Sequence, residues 1–228
     1  QVEDKGIKEV AAGGQHSLFL KENGSLWAMG YNGNGQLGDG TRTHRSKPVQ
    51  VVNGGVKAVA AGWHHSLFLK EDGSLWAMGY NSYGQLGDGT RTQRTKPFQV
   101  VNGGVKAVAA DLYHSLFLKE DGSLWAMGSN NYGELGDGTR TLRTKPVQIV
   151  NGGVKAVAAG LYHSLFLKED GSLWAMGRNY YGELGDGTTS QRTKPVQVVN
   201  GGVKAVAGGR YHSLFVKEGG SLWAMGYN

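Results

Sequence analysis

The sequence predicts an all-β fold, a β-propeller of five four-stranded blades in one tandem array. The segment His-Ser-Leu-Phe begins at His16, His65, His114, His163 and His212, a constant step of 49 residues. Within each step the apolar stretches are short, and the breaks between them hold glycine with asparagine or aspartate. Four short strands repeated at a period near fifty is the pattern of propeller blades. No segment sustains the 3.6-residue helical period for three turns.

The second unit shows the elements in order. Pro48-Val-Gln-Val-Val begins a strand, where the missing proline N–H is tolerated. Asn53-Gly-Gly turns into Val56-Lys-Ala-Val-Ala-Ala, whose small residues suit the crowded strand near a propeller axis. After a variable loop come His65-Ser-Leu-Phe-Leu, the turn Glu71-Asp-Gly and Ser74-Leu-Trp-Ala-Met-Gly79. Glycine with Asn or Asp accepts the positive φ of tight hairpins. The bulky third and fourth strands fill the widening space between blades, so Trp76 and its copies are expected in the inter-blade core. His65 and its copies are expected to tie loops by hydrogen bonds, because five copies in five blades cannot converge on one metal ion.

One unit cannot bury its own apolar face, so the units must stack. The strand set occurs five times, starting at Gln1, which aligns with Gln50, and the long Gly-Asp-Gly-Thr loop occurs four times. That count predicts a closed five-bladed ring in a single domain over residues 1–228. The alternative is part of a larger or oligomer-completed ring.

The 228 residues contain no cysteine, which removes disulfide and thiol chemistry. The net charge of +6 comes largely from lysines copied with the unit, such as Lys21, Lys70 and Lys119. It therefore reads as solubility rather than a nucleic-acid site. No apolar run approaches the roughly eighteen residues of a membrane span, and no signal-peptide pattern opens the chain. Neither nucleic acid nor membrane is expected as a partner, and secreted and cytoplasmic locations are both allowed.

Candidate chemistry is sparse. Gly33-Asn-Gly-Gln-Leu-Gly38 matches a dinucleotide fingerprint, but the other copies begin with Ser82, Asn131 and Tyr180 and no helix follows. Asp39, Asp88, Asp137 and Asp186 supply one carboxylate per loop, too few for a calcium site, and read as turn formers. A catalytic centre needs asymmetry, and each candidate acid, base or nucleophile stands in four or five copies. No enzyme and no cofactor are expected.

Ala60-Ala61-Gly62, His65-Ser-Leu-Phe-Leu69, Asp72-Gly73, Trp76-Ala-Met-Gly79, Asn81 and Gly84-Gln-Leu-Gly87 together resemble RCC1 repeats of the bacterial kind. The resemblance covers the whole chain. It implies the propeller fold but not one function, since that family includes a nucleotide exchange factor, a plant light receptor and secreted β-lactamase inhibitors. Its members usually have seven blades, whereas five are counted here. The exchange factor acts through a wedge inserted in one blade; no copy here carries an insertion, which argues against that role. The near-identity of the units points to recent amplification or design.

Differences between copies gather in two loops. Before the histidines stand Gly14-Gln15, Trp63-His64, Leu112-Tyr113, Leu161-Tyr162 and Arg210-Tyr211. After the Trp strands, Tyr31, Tyr80, Tyr83, Tyr132, Arg178, Tyr180, Tyr181 and Tyr227 mark the second loop. All ten tyrosines lie in these two places. Antiparallel alternation brings both loops to one face and leaves the constant Asn-Gly-Gly and Asp-Gly turns on the other. Varied aromatic loops on a fixed frame make a binding surface. The candidate surface comprises Tyr31, Trp63, His64, Tyr80, Tyr83, Leu112, Tyr113, Tyr132, Leu161, Tyr162, Arg178, Tyr180, Tyr181, Arg210, Tyr211 and Tyr227.

The expected function is a non-enzymatic scaffold that binds another protein through this face. The alternatives are lectin-like multivalent glycan binding and an amplified or designed scaffold without a ligand. Equivalent sugar sites would keep the same contact residues, and these loops differ. Both a monomer and a ring-completing homo-oligomer are left open.

Overall fold

A computed structural model of the chain describes residues 5–227. Among the described residues, nineteen strands run antiparallel to their neighbours in five separate sheets. In blade one, β1 (Ile7–Ala12), β2 (His16–Lys21), β3 (Leu26–Gly30) and β4 (Arg45–Val52) pair in that order. Blades two to four repeat the arrangement, and blade five has three strands within the described residues.

The blade boundary falls one strand away from the expected one. The Pro-containing strand was expected to open each unit. Instead it closes the preceding blade as the outer strand, with Gln50 opposite Trp27 and Val49 opposite Ala28. The long Gly-Asp-Gly-Thr loop carries the chain across to it. Gln1, where the first strand set was expected to begin, lies outside the described residues.

Successive blades are cemented by one apolar core each. The first core joins Leu18, Leu20, Leu26, Ala28 and Leu37 of blade one to Val56, Val59, Phe68 and Met78 of blade two. Three more cores of the same make-up follow, up to the junction of blades four and five. Trp76, Trp125 and Trp174 seal the edges of the first three cores, whereas Trp223 on the uncovered side of blade five is 51% exposed. Trp76 is half-buried against the first core, stacks on Phe68, donates its indole N–H to Ser74 Oγ at 2.9 Å and carries Lys70 over its ring.

The expected closed ring is not what the described residues form. Val10 is 72% exposed, whereas its counterpart Val59 is 6% exposed; Leu222 is 66% exposed, whereas Leu26 is fully buried. A fifth core between blades five and one would have buried both. Blades one and five each leave one side uncovered, and the array of blades is open.

Hydrogen bonds reinforce each junction. His16, His65, His114 and His163 lie 2.8 to 2.9 Å through Nε2 from the hydroxyls of Ser66, Ser115, Ser164 and Ser213 in the following blade. Ser66 donates its own proton to the Gln36 carbonyl at 2.8 Å. The histidine must therefore be the donor, which fixes the Nε2–H tautomer. Burial pushes His65 and His114 down to about 3 and His16 and His163 to about 4, with neighbouring charges adding to the effect. The imidazoles are thus neutral ties, and they run from blade to blade rather than within one loop.

The long loops are pinned from within. Asn81 donates through Nδ2 to Asp88 Oδ1 and to the Thr90 and Thr92 carbonyls, and accepts from Leu86 N at 3.0 Å. Asp88 also accepts from Thr90 N, Thr90 Oγ1 and Arg94 Nε. Burial opposes ionisation of Asp88, but these bonds outweigh it and hold the carboxyl below its ordinary range. The Asp residues of the long loops are turn clamps with occupied oxygens.

Candidate functional site

The two variable loops of each blade are bonded directly through their backbones. Tyr31 N donates to Gln15 O, Tyr80 N to His64 O, Ser129 N to Tyr113 O, Arg178 N to Tyr162 O and Tyr227 N to Tyr211 O, all at 2.8 to 2.9 Å. Glycine makes the meeting possible. At Gly79 the backbone turns at φ +106°, and a Cβ there would collide with the His64 carbonyl and the His65 backbone. Both loops therefore crown one face at every blade, tied by a backbone bond that recurs in all five.

The side chains on this frame touch across blades. Tyr31 stacks on His44 at 4.5 Å and approaches His64 at 6.4 Å; His64 meets Tyr80 at 6.1 Å. Tyr80 and Tyr83 of blade two both contact Tyr113 of blade three, at 6.3 and 4.5 Å. Further round, Tyr132 packs on Tyr162 at 4.9 Å, and Tyr181 on Tyr211 and Tyr227 at 5.8 and 4.9 Å.

Arg178 joins the last two groups. Its guanidinium lies 4.6 Å from the Tyr211 ring, 5.1 Å from Tyr180 and Tyr181, and within 6 Å of Tyr132 and Tyr162. Beneath it the buried Glu183 carboxylate stands 3.6 Å from Nε. Hydrogen bonds from Arg210 and from Arg178 pull the Tyr211 phenol below its ordinary pKa. Arg210 also reaches the Trp63 ring at 5.9 Å, linking blade five to blade two.

The profile of the RCC1-like domain family matches residues 1–228. The chain belongs to the RCC1-like domain family. Among solved structures it resembles human WBSCR16, with a TM-score of 0.85 and 26% identity over 97% of this chain and 62% of that one. It also resembles Prp20p from Saccharomyces cerevisiae, with a TM-score of 0.84 and 26% identity over 96% of this chain and 57% of that one. A curated human relative, "Probable E3 ubiquitin-protein ligase HERC3", is 51% identical over 37 residues, which is 16% of this chain and 4% of that protein. The RCC1-like chain thus spans about six-tenths of the solved relatives and a small part of the curated one.

In this RCC1-like face the expected surface residues are not equally displayed. Tyr31, Trp63, Tyr180, Tyr181, Arg210 and Tyr227 are exposed. His64, Tyr80, Tyr83, Tyr113, Tyr132, Tyr162, Arg178 and Tyr211 are half-buried against one another. Leu112 and Leu161 are corrected: they are 9% and 3% exposed and support the face from below. An aliphatic side chain at that position tucks under the loops, whereas Trp63 and Arg210 extend outward.

Two residues of this RCC1-like face escaped the sequence reading. His44 accepts from Asn32 N through Nδ1 at 2.9 Å and backs Tyr31. Asp111 stands where the other copies have Gly13, Gly62, Gly160 and Gly209. Both carry the signal used for the tyrosines, a departure from the repeat: Gln93, Leu142 and Gln191 align with His44.

Proposed function

We propose that this RCC1-like chain is a non-enzymatic scaffold that binds another protein through the Tyr- and Trp-rich loop face. The observation that carries this reading is the pair of aromatic clusters built by the variable loops, one linking Tyr31, His64, Tyr80 and Tyr113 and the other, joined through Arg178, linking Tyr132 and Tyr162 to Tyr181, Tyr211 and Tyr227. Tyr, Trp and Arg dominate the energetics of protein interfaces. Aromatic side chains with two torsions lose little entropy on binding, and those already packed on one another lose less. Arg178, caged by tyrosines, is positioned before any partner arrives.

Relatives support a protein as the ligand. Prp20p is described by its binding to Gsp1p and histones, and it has been solved bound to Kap60. The differences among the five loops favour one composite surface over five equal sugar pockets. The test is site-specific photo-crosslinking from Tyr180, Tyr181 and Trp63, with Asp72 and Asp121 on the opposite face as controls. The reading expects one protein crosslinked from all three loop positions and from neither control. Crosslinks of equal yield from both faces would overturn it.

A further inference from the structure

Asp111 breaks the repeat at a position where a side chain has little room. A Cβ at Gly13, Gly62, Gly160 or Gly209 would run into the histidine ring of its own blade. Blade three nonetheless carries a carboxylate there. Its turn bond, from Asp111 N to His114 O, is 3.3 Å, whereas the other four blades keep 2.9 Å. A residue that loosens its own turn in one copy of five is a departure with a use outside the fold.

Its surroundings indicate that use. Asp111 and Trp63 line a recess of about 250 Å³ with Ala12, Gly14 and Ala61, at the loop-face ends of the three inner strands of blades one to three. One carboxylate oxygen accepts from Leu112 N. Among the described residues no cation pairs with Asp111, and burial pushes its carboxyl up to about 6. The Trp63 indole borders the same recess, lying over Gly14, whose lack of a side chain makes room for it. A carboxyl-bearing residue and an indole that line one recess, otherwise made of Ala and Gly, suit an organic cation.

We infer that this recess receives a lysine or arginine side chain of the bound protein, held between the Asp111 carboxylate and the Trp63 ring. The inference rests on the protein-binding reading above and names the chemistry of one contact within it. Arg210 approaches the Trp63 ring at 5.9 Å but is not among the residues that line the recess.

The probes are n-butylammonium and methylguanidinium, with n-pentanol as the uncharged control, titrated into the whole chain. The readouts are the NMR shifts of the Asp111 carboxyl carbon and the Trp63 indole proton. Saturable shifts at both groups are expected for the two cations, with n-pentanol giving none. Asp111→Asn and Asp111→Gly should each weaken cation binding by about tenfold or more. Asp111→Gly should melt no lower than the parent chain, since it restores the residue of the other blades. Equal binding by the parent and both variants, or equal binding of n-pentanol, would overturn the assignment. The two readings fail separately. Crosslinking from Tyr180 that survives a failed cation titration removes Asp111 alone, and cation binding without crosslinking removes the protein-binding surface.

Discussion

His65 in blade two donates its Nε2–H to the Ser115 hydroxyl of blade three at 2.8 Å, and Ser115 returns its proton to the Gln85 carbonyl of blade two at 2.9 Å. Both bonds are buried, and the pair recurs at each of the four junctions. Apolar packing holds two blades together, while this exchange fixes their register.

Removing the serine tests that role. Ser115→Ala leaves the His65 N–H buried without an acceptor, at a cost of about 1–3 kcal/mol. In a chain of this size each kcal/mol lowers Tm by about 2–4 °C. Calorimetry should show that loss, and Ser46→Ala, at an exposed strand position, should leave Tm nearly unchanged.

Acid should unfold the array through the same histidines. Their folded pKa values are depressed to between about 3 and 4, against an ordinary value of 6.5. As pH falls below about 6.5 the unfolded chain takes up protons that the folded chain refuses, so stability is lost between about pH 6.5 and 4. All four act in the same direction in that window. Tm measured from pH 8 to pH 4 should fall steeply, and His65→Gln should flatten the slope. A constant Tm would contradict the buried neutral imidazoles.

Asn81 governs one long loop. Its side chain accepts from Leu86 N and donates to Asp88, Thr90 and Thr92. Asn81→Ala should cost about 3 kcal/mol, because several buried partners lose their bonds at once. Hydrogen exchange should show the Leu86 amide losing protection first, with the strands of the other blades protected as before.

Leu86 itself plugs the core between blades two and three. Leu86→Ala should destabilise by about 2–5 kcal/mol through the cavity it leaves. Denaturant titration checks this, and the same change at Leu222, which is 66% exposed, should cost far less.

The strands were legible in the sequence because their apolar alternation and glycine breaks are local properties. Blade phase was not. Pro48 to Val52 is separated from the next strand by a short Asn-Gly-Gly turn, yet it bonds backward to Trp27 across the long loop. That choice depends on where the loop delivers the chain, which no local pattern encodes. The opening between blades five and one was missed for a related reason: counting blades does not give the angle between them. On the candidate face, antiparallel alternation correctly predicted that both variable loops lie together. It could not tell that Leu112 turns inward while Trp63 turns outward, nor that the tyrosines converge on Arg178. Those outcomes depend on neighbours in other blades, such as Gly14 giving way to Trp63.

The most direct test of protein binding by the loop face is the affinity of the crosslinked partner for a variant carrying Trp63→Ala, Tyr113→Ala, Tyr162→Ala and Tyr211→Ala. Calorimetric titration should show at least about a hundredfold weaker binding, the loss of two or more anchoring side chains, with strand content unchanged by circular dichroism. Affinity equal to that of the parent chain would contradict the account.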